Sequence, residues 1–68
     1  MEKLSKIIEE KRQKLRLSQQ DLAEMSGVSL RTVTGIENGE ANPSLDTLDK
    51  IAYTLGLEVA LIERVKHD

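Results

Sequence analysis

Apolar residues recur along this chain at helical spacing, in four blocks separated by short polar stretches. Over residues 3–15, Leu4, Ile7, Ile8 and Leu15 fall on one stripe, with Lys11 completing the spacing. A second block carries Leu22, Ala23 and Met25 inward, and a third Val33 and Ile36. The fourth has Leu45, Leu48, Ile51, Ala52 and Leu55. The pattern predicts an all-α bundle of four to five short helices.

Punctuation agrees with the periodicity. Ser18 suits the N-cap of the second helix, and Asp21 three residues later makes an S-x-x-D box. Gly27 ends that helix, where a left-handed backbone costs a glycine little. Ser29 caps a third helix from Leu30 to about Glu37, which Asn38-Gly39 stops. Residues 39–44 form a loop with the only proline, Pro43. Ser44 then caps the fourth helix, Asp46 sits in its first turn, and Gly56 ends it. Gly35 interrupts the third helix at a cost of roughly 1 kcal/mol against Ala. It marks either close backbone approach or an exposed, tolerant position.

The tail from Leu57 has two readings. Leu57, Leu61, Ile62 and Val65 suit a fifth helix. The run Val59-Ala60-Leu61-Ile62, rich in β-branched residues, suits a short strand and is the preferred reading. No other segment looks like a strand partner, so residues 57–65 are a candidate dimerisation strand, paired with a second copy across a two-fold axis. The strand reading predicts a homodimer.

Size and composition narrow the picture. The chain has 68 residues, enough for one small domain over 1–68 and no more. Such a domain buries only about 60% of its unfolded surface. Without Phe, Trp or Cys, its core is aliphatic and has no disulfide to support it, which favours oligomerisation. Tyr53, the one aromatic, is expected to pack against the neighbours of the fourth helix. No apolar run approaches the ~20 residues that span a bilayer. The charged N-terminus is unlike a secretory signal. The expectation is a soluble, cytoplasmic protein.

The net charge is -2, unusual for a protein that binds nucleic acid. Local patches decide phosphate binding, however. Lys11, Arg12, Lys14 and Arg16 cluster near the end of the first helix, while Glu40, Asp46, Asp49 and Glu58 lie elsewhere. That segregation permits a basic face. The cluster reads mainly as a partly solvated helix face, with one or two members near phosphate.

The stretch from Gln19 to Asn38 reads as two short helices joined by a tight turn at Gly27. Small residues at Ala23 and Gly27 let them cross closely, and Val28, Val33 and Ile36 bury the pair. A helix presented in this way fits the DNA major groove. The plainer alternative is a helical bundle with one sharp corner.

The segment LSQQDLAEMSGVSLRTVTGIENGEANPSLDTLDKIAYTLG resembles the Xre family, the lambda-repressor-like helix-turn-helix domains. The resemblance covers about residues 4–57, and its most specific pieces are L-S-Q-Q-D-L-A, G-V-S, I-E-N-G and N-P-S-L-D-T-L. It implies a third helix in the major groove. Ser29, Leu30, Arg31, Thr34 and Gly35 would face bases, and Gln19, Thr32 and Asn38 would lie near phosphates. Many relatives carry a long polar residue where this chain has Gly35, and a hydrogen-bonding one where it has Leu30. The tail LGLEVALIER is similar to that of HipB-like antitoxins, in which a short terminal strand pairs across a dimer.

The same residues carry a physical reading. Arg31 suits a bidentate contact with guanine O6 and N7, worth about 1–3 kcal/mol of discrimination, or is a solvated arginine. Leu30 touches a thymine methyl or packs at the helix entrance. Thr34 reaches a base edge or only water. Gln19 donates to phosphate beside the free amides of the second helix, or is an exposed first-turn residue. Asn38 offers its side chain or its N–H to phosphate, or simply ends the helix.

No catalytic or cofactor motif appears. There is no H-E-x-x-H, paired cysteine, P-loop or dinucleotide fingerprint. His67 is the only histidine, and Glu9 and Glu10 do not face each other on a helix. Tyr53 alone makes no stacking platform for single-stranded RNA. The expectation is a non-enzymatic, dimeric repressor that binds double-stranded DNA at a palindromic operator, without metal or cofactor. The tail implies the narrower role of an antitoxin with a toxin partner. A protein-interaction module without specific DNA binding is the alternative from another class.

Overall fold

The computed structural model describes residues 2–65. Among them are four helices and no strand: α1 Glu2–Lys14, α2 Gln19–Ser26, α3 Leu30–Glu37 and α4 Leu45–Thr54. His67 lies outside the described residues.

The serines cap as their spacing predicts. Ser18 Oγ accepts the Asp21 N–H at 2.9 Å, and Asp21 Oδ2 accepts the Ser18 N–H at 2.9 Å. Two orphan donors of α2 are thereby satisfied reciprocally. Ser29 and Ser44 accept from the Thr32 and Thr47 N–H groups in the same way.

All four helices close alike. The N–H groups of Leu17, Val28, Glu40 and Leu57 donate back to the carbonyls of Arg12, Ala23, Gly35 and Ala52, respectively. The residue before each donor has positive φ, as this closure requires. In three helices it is glycine. In α1 it is Arg16, at φ 58°, where a side chain is strained.

The core joins Ile8, Leu22, Ala23, Val33, Ile36, Ile51 and Leu55. Leu4, Leu17, Val28, Ala41, Leu48 and Leu57 pack around it. It is wholly aliphatic.

Several expected inward positions fall elsewhere. The buried face of α1 is Ser5, Ile8 and Arg12, not a stripe running to Lys11 and Leu15. Leu15 lies past the end of the helix, and both it and Ile7 are about half exposed. Met25 is exposed because it lies about 110° round α2 from the centre of the Leu22–Ala23–Ser26 face. Leu45 is also exposed, opening α4 at the surface beside Asp46, Asp49 and Val59. Tyr53 is 85% exposed, about 150° round α4 from its buried stripe, so it packs against nothing in the core.

Within one chain the described part of the tail forms no helix and no strand. Leu57 folds back onto the core and Val59 is half buried. Beyond them Leu61, Ile62 and Val65 are 98%, 89% and 75% exposed. A strand needs ladder partners for its N–H and C=O groups, and this chain supplies none among the described residues.

α3 packs on α1 and α2, and α2 packs in turn on α4. Val33 and Ile36 are the buried anchors of α3, which leaves its other edge outward.

Candidate nucleic-acid interface

The outward edge of α3 carries Leu30, Arg31, Thr34 and Asn38, which follow one another at helical spacing. Together with Thr32, Gly35, Glu40 and Ala41 they line one open groove. Arg31 is exposed and makes no ion pair or hydrogen bond within the described residues. Its guanidinium is the only cation along this groove among them, with Glu40 as its one acid.

Gly35 has a specific neighbour. A Cβ there would meet the Ala41 Cβ at 3.1 Å. The Gly35 carbonyl also accepts from the Glu40 and Ala41 N–H groups, at 2.9 and 3.0 Å. The glycine therefore serves close approach of the α3–α4 loop, the first of its two sequence readings.

Behind the groove lies a polar network. Arg12 Nε and Nη2 clasp Glu37 Oε2 and Oε1 at 2.7 and 2.9 Å. Arg12 Nη1 also donates to the Leu17 carbonyl at 2.7 Å. Gln19 Nε2 donates to Glu37 Oε1 at 3.0 Å, and the Thr34 hydroxyl donates to Gln19 Oε1 at 3.2 Å. The hydrogen bond to Glu37 raises the Arg12 pKa against a smaller opposing effect of burial, so Arg12 stays charged at any working pH. Glu37 stands at the negative end of α3, where a carboxylate is otherwise disfavoured, and Arg12 offsets that placement.

The expected site residues thus divide. Leu30, Arg31, Thr32, Thr34, Gly35 and Asn38 come together on the groove. Ser29 does not line it; its hydroxyl caps α3 and donates to Thr32 Oγ1 at 2.8 Å. Gln19 is half buried, with both ends of its amide engaged and one N–H left over. The Asn38 N–H is spent inside the helix on the Thr34 carbonyl, so only its side chain faces outward.

The basic cluster of α1 also disperses. Arg12 is buried on Glu37. Lys11 and Lys14 border Ile7 and Leu57 instead of the α3 groove. Sequence reasoning missed the Arg12–Glu37 pair. Each member carried a signal of its own, though none joined them: Arg12 falls four residues after Ile8 on the inward phase, and Glu37 ends a helix at its negative pole.

Two short helices packed across a glycine turn, the second with a free polar edge, define a helix-turn-helix domain. Comparison with known proteins gives the same class. The helix-turn-helix family HTH_3, of Xre type, matches residues 8–62. An HTH-type transcriptional regulator of Methanothermobacter thermautotrophicus is 42% identical over 52 residues, covering 76% of this chain and 75% of the relative. Another, of Haemophilus influenzae, is 40% identical over 57 residues, covering 82% of this chain and 58% of the relative. The crystal structure of a point mutant of the restriction-modification controller protein C.Esp1396I superimposes with a TM-score of 0.79 at 28% identity, covering 84% of this chain and 72% of that one. The chain belongs to the Xre-type helix-turn-helix family. It is a DNA-binding transcriptional regulator.

Proposed function

We propose that this regulator is a repressor that binds a palindromic operator as a dimer and excludes polymerase from it. The observation that carries the reading is Arg31 on the open edge of α3, without a partner among the described residues and aligned with Thr34 and Asn38. In this reading Arg31 takes guanine O6 and N7, and Leu30 meets a thymine methyl. The remaining Gln19 N–H, the Thr32 hydroxyl and the Asn38 side chain take phosphate oxygens. Ser29 and Gly35 hold α3 and its following loop in place. Its place of action is the cytoplasm.

One α3 reads few bases. A second copy about 34–36 Å away doubles the contacts and imposes two-fold symmetry on the site. The exposed Leu61, Ile62 and Val65 supply apolar surface for that pairing, and the candidate strand within 57–65 gains ladder partners beyond Leu57 when two tails meet.

A mobility-shift titration on the DNA upstream of the gene tests this. Arg31→Ala is expected to weaken specific binding by about five- to 150-fold per half-site while leaving the thermal melt unchanged. Wild-type affinity should fall steeply and log-linearly with salt as phosphate contacts release counterions. Equal shifts by both proteins, or a flat salt response, would remove Arg31 and the phosphates from the reading.

A further inference from the structure

The Glu37 side chain is almost fully buried, at 1% exposure, and its oxygens accept from Arg12 and from Gln19. A carboxylate ionised beside a guanidinium has no proton to give. Gln19 therefore turns its amino group to Glu37 and its carbonyl oxygen the other way. That oxygen is the atom the Thr34 hydroxyl meets, at 3.2 Å. An amide oxygen only accepts, so the single hydroxyl proton of Thr34 is committed to Gln19. Thr34 is half buried and lines the α3 groove. What it shows there is lone pairs.

We infer that the relay from Arg12 through Glu37 and Gln19 makes Thr34 an acceptor-only reader, matched to an exocyclic amino group in the major groove, adenine N6 or cytosine N4. This rests on α3 being the helix that reads bases. Guanine offers only acceptors at that edge, and thymine an acceptor and a methyl. An acceptor facing guanine O6 and N7 or thymine O4 is repelled, and the thymine methyl offers it no hydrogen bond. On the strand that Thr34 touches, the relay selects A or C over G or T. Gln19 and Glu37 are positioning residues here, and neither has to contact a base.

The test is selection of bound duplexes from a library randomised across the site, with wild type, Thr34→Val, Thr34→Ser and Gln19→Met. Thermal melts establish that each is folded. Wild type is expected to favour A or C at one position per half-site by about fivefold, the low end for a base contact. Thr34→Val should erase that preference and leave other positions unchanged, while Thr34→Ser should retain it. Gln19→Met frees the hydroxyl to rotate, so the preference should fall towards unity although Thr34 is present. A purely structural role for Gln19 would lower affinity at every sequence alike and leave that letter intact. A Thr34-dependent preference for G or T, or one that survives Gln19→Met, overturns the inference. If wild type enriches a site in which Thr34→Val changes no position, the relay alone is wrong. If folded wild type enriches no sequence, the base-reading role of α3 is wrong as well.

Discussion

Arg12 spans three parts of the chain: it belongs to α1, donates to the Leu17 carbonyl before α2, and holds Glu37 at the end of α3. Removing it leaves a carboxylate buried without its counter-charge. Arg12→Met is expected to destabilise by about 3–5 kcal/mol in chemical denaturation. Adding Glu37→Met should recover much of that loss, because apolar replacement of both partners removes the stranded charge. A double variant no more stable than the single one would contradict this. Gly35 has a different constraint, because its missing Cβ is space used by Ala41. Gly35→Ala should gain about 1 kcal/mol of helix propensity in an Ala41→Gly background and less than that in wild type. The difference is the coupling between the two sites, and a denaturation cycle measures it. Identical gains in both backgrounds would show that Ala41 yields freely.

At the scale of elements, caps set where the helices begin, and α2 has the fullest one. Ser18→Ala should cost about 1 kcal/mol. The charge of Asp21 adds a pH signature. Hydrogen bonds from the Ser18 backbone and side chain lower the Asp21 pKa from its ordinary 3.8. A carboxyl with a depressed folded-state pKa contributes stability above its unfolded pKa and loses it as pH falls through the folded one. The melting-temperature advantage of wild type over Asp21→Asn should therefore be full near neutrality and shrink below about pH 4. An advantage independent of pH would assign it to geometry instead of charge. These caps were legible in the sequence because each is a contact between residues three apart. Arg12 and Glu37 are 25 residues apart, and no local spacing pairs them.

Over the whole molecule, the radius of gyration is 12.7 Å, against about 11 Å for a compact chain of this length. The molecule is elongated, with axis extents of 46 × 22 × 20 Å, and Leu61, Ile62 and Val65 lie in water. Burial of those residues against a second copy is the expected remedy. Sedimentation should show a concentration-dependent dimer, and Leu61→Glu with Ile62→Glu should shift it to monomer. The four helices should survive that change, since neither residue joins the core. A dimer unaffected by both charges would move the interface away from the tail.

Apolar spacing determined α1, and the order of caps, apolar turns and closing glycines determined α2 to α4 and the helix-turn-helix, without reference to any distant residue. Those signals act within one or two turns, where chain connectivity already brings the groups together. Tertiary structure alone decided that Arg12 is a buried clamp and not part of a basic face. It alone assigned Gly35 to Ala41, Tyr53 to solvent, and the Thr34 proton to Gln19. Each of those outcomes depends on which residues from other elements arrive alongside, and on hydrogen-bond donors and acceptors that must pair once water is excluded.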